Sequence, residues 1–253
     1  MPRASTRLVL SCEHASAAVP RDLAWLFRND RAVLATHRGF DAGALAVARG
    51  LARRLAVPLV AGTTTRLLVD LNRSPHNSAI FSPWTRALPR AEREALVDRL
   101  HAPHLERAAR MVDQTGGPVV HFAIHSFTPT LRDEVRDFEL GLLYDPGRPR
   151  ERALADALRE AIARRAPHLR IRRNAPYRGR SDGLPTAFRK QRKPADYLGL
   201  EIELNQACLR SASDPRAWAE LLAPCLAEVL ASTDSRRAPH SRARRTRRAS
   251  AKG

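Results

Sequence analysis

Short apolar runs that stop abruptly at polar residues alternate along this chain with longer stretches of helical period. Leu8, Val9 and Leu10 lead into Ser11-Cys12-Glu13-His14, then small residues and Pro20. Val119 to Ile124 has the same form and runs into His125-Ser126. Leu67 to Arg73 (LLVDLNR) and Tyr197 to Gln206 (YLGLEIELNQ) complete a set of four. A short apolar run bounded by polar or turn residues is the mark of a buried strand. In open α/β sheets, ligands sit at the carboxyl ends of strands. The pattern therefore predicts four strand ends that meet and hold a metal.

Between these runs the period shifts to that of a helix. Ala44, Leu45, Val47, Ala48, Leu51, Ala52 and Leu55 share one face, with Arg49, Arg53 and Arg54 on the other. Asp41 stands where that helix would be N-capped. Ala91 to Gln114 reads as another helix, which Pro103 should kink or break and Gly116-Gly117-Pro118 should stop. Further helices are predicted over Pro20–Phe27, Glu151–Arg164 and Pro215–Ala231. Further strands are predicted over Val57–Val60, Arg66–Leu71, Phe138–Tyr144 and Leu169–Arg172, with loops at Pro75–Pro89 and Asn174–Gly183. Strands alternating with helices predict an α/β class with a mixed, mainly parallel sheet. One domain is expected over 1–232, followed by a disordered basic tail over 233–253.

Composition narrows the function classes. With 253 residues and 43% apolar residues, the chain can bury a large core. No run approaches the roughly 18 apolar residues of a membrane span, and MPRASTR lacks the apolar core of a secretory signal. Cys12, Cys208 and Cys225 are few and far apart, with no CxxC pair. That spacing argues against a disulfide scaffold or thiolate zinc site, and for the cytoplasm. The net charge is +18; residues 236–253 carry seven Arg and one Lys without an acid, leaving +10 elsewhere. Such a tail is a candidate nucleic-acid contact, although no RNA-binding signature or interleaved aromatics accompany it.

The strand ends carry the candidate chemistry. His14 and His125 each follow an apolar run, and hydrolytic zinc commonly takes His ligands with one carboxylate and leaves a place for water. Asp41 and Glu13 are the candidate carboxylates. Adjacent residues in an extended segment point to opposite faces, which disfavours a metal shared by Glu13 and His14 and favours Asp41. Glu201 and Glu203 lie two apart and share a face. They are either carboxylates beside a metal site, suited to general-base work, or the polar side of an exposed edge strand. Asn72 and Arg73 suit bidentate capture of a substrate carboxylate, while Asp70 reads equally well as half of an ordinary ion pair with a nearby arginine. Ser11, Cys12 and Ser126 are nucleophile types without a nucleophile elbow to support that role.

Taken in order, SCEHASAAVP, RGFDAGALAVARGLA, RLLVDLNRSP, HSFTP, ELGLLYD, NAPYRG and EIELNQ resemble the N-formylglutamate amidohydrolase family over roughly Leu8 to Leu209. The likeness is closer to the branch with EHAS and HSFTP than to the histidine-degradation enzyme. The resemblance implies a three-layer α/β/α sandwich of the zinc carboxypeptidase type with a mixed sheet. It implies a cytoplasmic, zinc-dependent hydrolase of amino-acid metabolism that cleaves N-formyl-L-glutamate, or a related N-acyl amino acid, with a metal-activated water. Carried over, one Zn2+ falls to His14, Asp41 and His125, and the catalytic base to Glu203. Arg73 with Asn72 falls where the carboxylate of the substrate is held, and Ser126, Asn174 and Tyr177 fall among the pocket residues. The chain departs at Ala17, where zinc exopeptidases place a Glu three residues after the first His, and at Glu13, where the formylglutamate enzyme tends to have Pro. The alternative function is nucleic-acid binding by the basic tail on a degenerate hydrolase fold.

Overall fold

A computed structural model describes residues 6–235. The elements run β1 (Arg7–Cys12), α1 (Ala44–Leu55), β2 (Leu59–Ala61), α2 (Pro83–Arg86), α3 (Arg90–Leu96), α4 (Ala102–Asp113), β3 (Val119–Phe127), β4 (Thr130–Leu131) and β5 (Glu134–Val135). They continue with β6 (Leu140–Leu143), α5 (Pro149–Arg165), β7 (Ile171–Arg173), α6 (Leu184–Gln191), β8 (Tyr197–Asn205) and α7 (Asp214–Ser235). Among the described residues, six strands form the main sheet in the order β2-β1-β3-β8-β6-β7. β2, β1, β3 and β8 are mutually parallel; β6 is antiparallel to β8, and β7 runs parallel to β6. The small β4–β5 hairpin stands apart. The class is α/β with a mixed, mostly parallel sheet.

Strand alternation sorts the side chains into two layers. Val120, Phe122 and Ile124 of β3, with Leu198, Leu200 and Ile202 of β8, pack in the core built with α1, α5 and α7. Val119 and Tyr197 point the other way, against Met111 and Val112 of α4 and Leu184 and Phe188 of α6. Burying each large aliphatic side chain is worth about 1.5–3 kcal/mol. The second face begins apolar at the amino ends of the strands and turns polar toward their carboxyl ends. In register there, His121 pairs with Gly199 and His125 with Glu203.

Chain direction also marks the site. From β1 the chain passes through α1 to β2 on one side, then through α2, α3 and α4 to β3 on the other. That reversal is a topological switch point, where open α/β sheets leave a crevice.

Several expectations are corrected. Arg66–Leu71 is no strand: Leu68 N–H bonds to Thr65 O at 3.2 Å and Asp70 N–H to Ile80 O at 2.9 Å. Its apolar side chains fill two satellite cores, Leu67 and Leu68 beside Phe27 and Val33, and Val69 beside Ile80 and Leu96. β3 runs three residues further than Ile124, so His125 and Ser126 lie within the strand. The helix over Ala91–Gln114 breaks at a π-type turn, Val97–His101, and restarts with Pro103 in its first turn, where a missing N–H is harmless. Pro20–Phe27 is a 3-10 helix over Arg21–Phe27. α6 is a helix where only loop was expected up to Gly183 and nothing beyond it, and α7 runs to Ser235 rather than ending at Ala231. The tail 236–253, with the nucleic-acid alternative that depends on it, lies outside the described residues.

The α1–α7 contact yields a prediction of unusual sign. Ala replacing Gly in a helix interior ordinarily stabilises by up to about 1 kcal/mol. A Cβ on Gly50 would lie 2.6 Å from the Cβ of Ala219. Urea unfolding should therefore find Gly50→Ala less stable by about 1–3 kcal/mol, and the same change added to Ala219→Gly should be tolerated. A Gly50→Ala protein as stable as wild type contradicts this packing.

Candidate functional site

His14 stands in the turn after β1, and its carbonyl accepts the Asp41 N–H at 2.9 Å. That bond ties the β1 exit to the approach to α1. Asp41 does not cap the helix: Gly43, at φ 79°, is the N-cap and makes no side-chain cap. The Asp41 carboxylate is committed elsewhere. Its Oδ2 takes a hydrogen bond from His125 Nδ1 at 2.9 Å, lies 3.4 Å from His14 Nδ1 and accepts the Ser126 N–H at 3.3 Å.

The outer nitrogens of both imidazoles meet further carboxylates. His14 Nε2 is 2.6 Å from Asp70 Oδ1, and His125 Nε2 is 2.8 Å from Glu13 Oε2. Arg66 Nη2 donates to Asp70 Oδ2 at 2.7 Å and Arg66 Nη1 lies 3.5 Å from Asp41 Oδ1. The imidazole centroids of His14 and His125 are 5.1 Å apart. One ligand atom each of His14, Asp41 and His125 lies within 4.8 Å of the others. His14 Nδ1 is buried without a hydrogen-bond partner among the described residues. Two imidazoles and a carboxylate, each imidazole backed by a second carboxylate, match the donor set of a hydrolytic divalent-metal site.

Acids and bases in this buried cluster shift one another's protonation. Burial and Arg66 push His14 down, but Asp70 and Asp41 outweigh them and raise it. Burial lowers His125, yet hydrogen bonding to Asp41 and Glu13 raises it well above the usual range. Burial would raise Asp41, Asp70 and Glu13; the imidazoles and Arg66 hold Asp41 and Asp70 far down, and His125 brings Glu13 to about 2. Glu203 behaves oppositely. Burial, reinforced by the Asp41 and Glu201 charges and only partly offset by His125, pushes it up to about 8. Burial also raises Glu201.

These groups open onto a cleft of about 400 Å³. Its walls include His14, Asp41, His125, Glu201 and Glu203, with Asn72, Arg73, Ser126 and Tyr177 also lining it. β8 is central and buried, so the edge-strand reading of Glu201 and Glu203 is excluded. Arg73 Nη1 donates to Asn72 O and Asp182 O, both at 2.8 Å. The Asn72 amide oxygen accepts Leu184 N–H at 2.7 Å and so caps α6 from a distant loop. Ser126 Oγ donates to Ala42 O at 2.8 Å and accepts from Gln206. Asn174 lies off the cleft: its side-chain oxygen accepts Tyr144 N–H and Gly179 N–H, pinning the loop that carries Tyr177. Cys12 is buried in the helix-covered core, with its thiol pushed up chiefly by burial, and is no nucleophile.

The sequence reading missed Arg66, Arg178 and His37, which also line the cleft. Glu13, a candidate ligand by sequence, stands instead behind His125, with Oε2 2.8 Å from Nε2. The i,i+4 spacing of Arg66 and Asp70 was the available signal for their ion pair.

A mixed α/β sheet, helices on both faces and histidines with carboxylates at its strand ends define a strand-end binding site of the open α/β class. The chain belongs to the N-formylglutamate amidohydrolase family, whose sequence profile matches residues 6–210, which places it among the hydrolases. It is similar to the crystal structure of gene product Atu2144 from Agrobacterium tumefaciens, with TM-score 0.77 and 32% identity over 91% of this chain and 92% of that one. The N-acetylmuramoyl-L-alanine amidase from Clostridium difficile 630 superposes less well, at TM-score 0.45 and 11% identity over 90% of this chain and 99% of that one. No curated protein matches the chain. Among the described residues, no helix is long and apolar enough to cross a membrane.

The histidines set a pH dependence of stability. His121 is fully buried on β3, and burial pushes it down from 6.5 to about 4; His104 is pushed down to about 4 for the same reason. An unfolded histidine takes up its proton near pH 6.5, which folded His121 refuses until about pH 4. The stability from neutral His121 is therefore complete above pH 6.5 and is lost as pH falls through that window. At about 1.4 kcal/mol per unit, it amounts to roughly 3 kcal/mol. Unfolding measured across pH should show a shallower loss between pH 6.5 and 4 in His121→Gln than in wild type. Equal slopes contradict the assignment.

Proposed function

We propose that the protein is a zinc-dependent amidohydrolase that releases the acyl group from N-formylglutamate or a related N-acyl amino acid. The observation that carries this reading is the His14–Asp41–His125 cluster, with its outer nitrogens committed to Asp70 and Glu13. Those commitments leave both Nδ1 atoms facing Asp41, so His14, Asp41 and His125 would hold the ion. A divalent cation held there would supply Lewis acidity toward a carbonyl oxygen and toward water.

The chain supplies the remaining functions. Glu203 sits beside His125 in register and lines the cleft. Its carboxylate takes the proton of the attacking water and passes it to the leaving amine. A carboxyl group pushed up to about 8 lies near enough to neutral pH to carry a proton both ways. Arg73 holds the carboxylate of the amino acid, with Asn72 and Tyr177 beside it. Backbone carbonyls fix one edge of the Arg73 guanidinium and so orient it before substrate arrives.

Metal analysis and formate release test the reading together. Wild type should bind zinc one to one and release formate from N-formylglutamate. His14→Ala and His125→Ala should lose the bound metal. Glu203→Gln should keep the metal and lose roughly 10²–10⁴ in kcat. Retained zinc in both histidine variants removes the site, and wild-type turnover by Glu203→Gln removes the base. Arg73→Met should raise KM for N-formylglutamate at unchanged zinc content; an unchanged KM moves carboxylate recognition elsewhere.

A further inference from the structure

A buried cation that the proposed reaction does not use stands behind the cleft wall. Arg136, directly after β5, is 4% exposed, and its Nε is buried without a hydrogen-bond partner. It forms no ion pair among the described residues, whereas Arg189, buried to a similar degree, meets Glu151 at 3.0 Å. Two rings stand beside the guanidinium instead. Its Cζ lies 5.2 Å from the Tyr177 ring centroid and 5.9 Å from that of Phe127. Both of those residues line the cleft. Arg136 Nη1 also donates to Tyr177 Oη at 3.3 Å. The backbone holds the arginine in place. Its N–H bonds to Pro129 O at 2.8 Å, and its carbonyl accepts from Asn205 Nδ2, at the carboxyl end of β8, at 3.0 Å.

A charge taken out of water is costly unless it is paired. Ring faces attract a cation but carry no net charge, so Arg136 still lacks a counter-ion. Because both neighbouring rings line the cleft, an anion bound beside Tyr177 would supply the missing negative charge. The hydrogen bond to Tyr177 has a fixed direction. A guanidinium offers donors only, so the phenol oxygen accepts and its own O–H is left to donate. Among the described residues no acceptor takes that proton, and Tyr177 is 46% exposed, within reach of a ligand. A hydrogen bond from a hydroxyl to an ionised carboxylate is one of the strong, short kind.

We infer that Tyr177 and Arg136 form a second carboxylate subsite of the cleft, separate from Arg73, which selects an acidic side chain on the acylated amino acid. Tyr177 donates its O–H to that carboxylate. Arg136 is a positioning residue: it fixes the direction of the phenol proton and sets an unpaired positive charge behind it. The subsite deepens the proposed function and rests on it for the identity of the substrate. Losing a hydrogen bond to a charged group should weaken binding about 10- to 100-fold.

Calorimetry of the full chain with glutarate and with glutaramate, its monoamide, tests the subsite without turnover. The two ligands share a shape, differ in one carboxylate and have no N-acyl bond to cleave. Wild type should bind glutarate about 10- to 100-fold more tightly. Arg136→Met and Tyr177→Phe should bind the two about equally, and Arg136→Lys, which keeps a cationic donor, should recover part of the preference. Tyr177→Phe changes one exposed hydroxyl, so it serves where Arg136→Met fails to fold. In turnover, both variants should raise KM for N-formylglutamate and leave KM for N-formylglutamine unchanged. Equal affinity of wild type for the two ligands overturns the subsite, as does a glutarate preference that survives in Tyr177→Phe. A wild type that prefers glutarate yet releases no formate removes the amidohydrolase reading and leaves the subsite standing.

Discussion

A carboxylate buried from water must be compensated where it stands, and the architecture of this protein follows from how Asp41 is compensated. Its Oδ2 is shared between His14 and His125, while Arg66 approaches the other oxygen. Each imidazole is then held from behind by a further acid, Asp70 or Glu13. Three carboxylates thus face two imidazoles and one guanidinium in a single buried set. Stripping one member leaves an uncompensated charge, which costs far more than the pair contributes when intact. The cluster therefore acts as a unit, and its partners come from the β1 exit, the approach to α1, the loop after β2, and the middle of the sheet.

The sheet is what delivers those partners to one point. Strict alternation along β3 and β8 sends every second residue into the apolar core beneath α1, α5 and α7. The intervening residues become His121, His125, Glu201 and Glu203, all on the opposite face. A one-residue slip would exchange the two sets, so the hydrophobic core that stabilises the fold also fixes the register of the polar site. The topological switch between β2 and β3 opens the crevice into which that polar face looks. The same register that pairs His125 with Glu203 pairs His121 with Gly199 and lets Tyr197 reach across.

Much of this was legible in the chain because the decisive signals are local. An apolar run ending in Glu13-His14, another reaching His125-Ser126, and Glu201 two residues before Glu203 each announce their placement. What escaped depended on distant contacts. Leu67, Leu68 and Val69 form an apolar run that a strand would explain, yet they are buried in two separate satellite cores. Periodicity cannot distinguish these cases when side chains are covered on all sides. α6 lacks a local cap because Asn72, far back in the chain, supplies it. Asn174 resembles a pocket residue by position, but its amide is consumed by the loop backbone. Glu13 stands behind His125 only because β1 and β3 are neighbours, a pairing no local signal reveals.

The membership of the chain in a hydrolase family and the geometry of its strand ends converge on one cluster. Zinc-edge X-ray absorption of the loaded protein tests that convergence most directly. Nitrogen and oxygen ligands only are expected, at about 2.0–2.2 Å, with the outer-shell scattering of two imidazole rings. Sulfur at about 2.3 Å, or the absence of imidazole scattering, would contradict it.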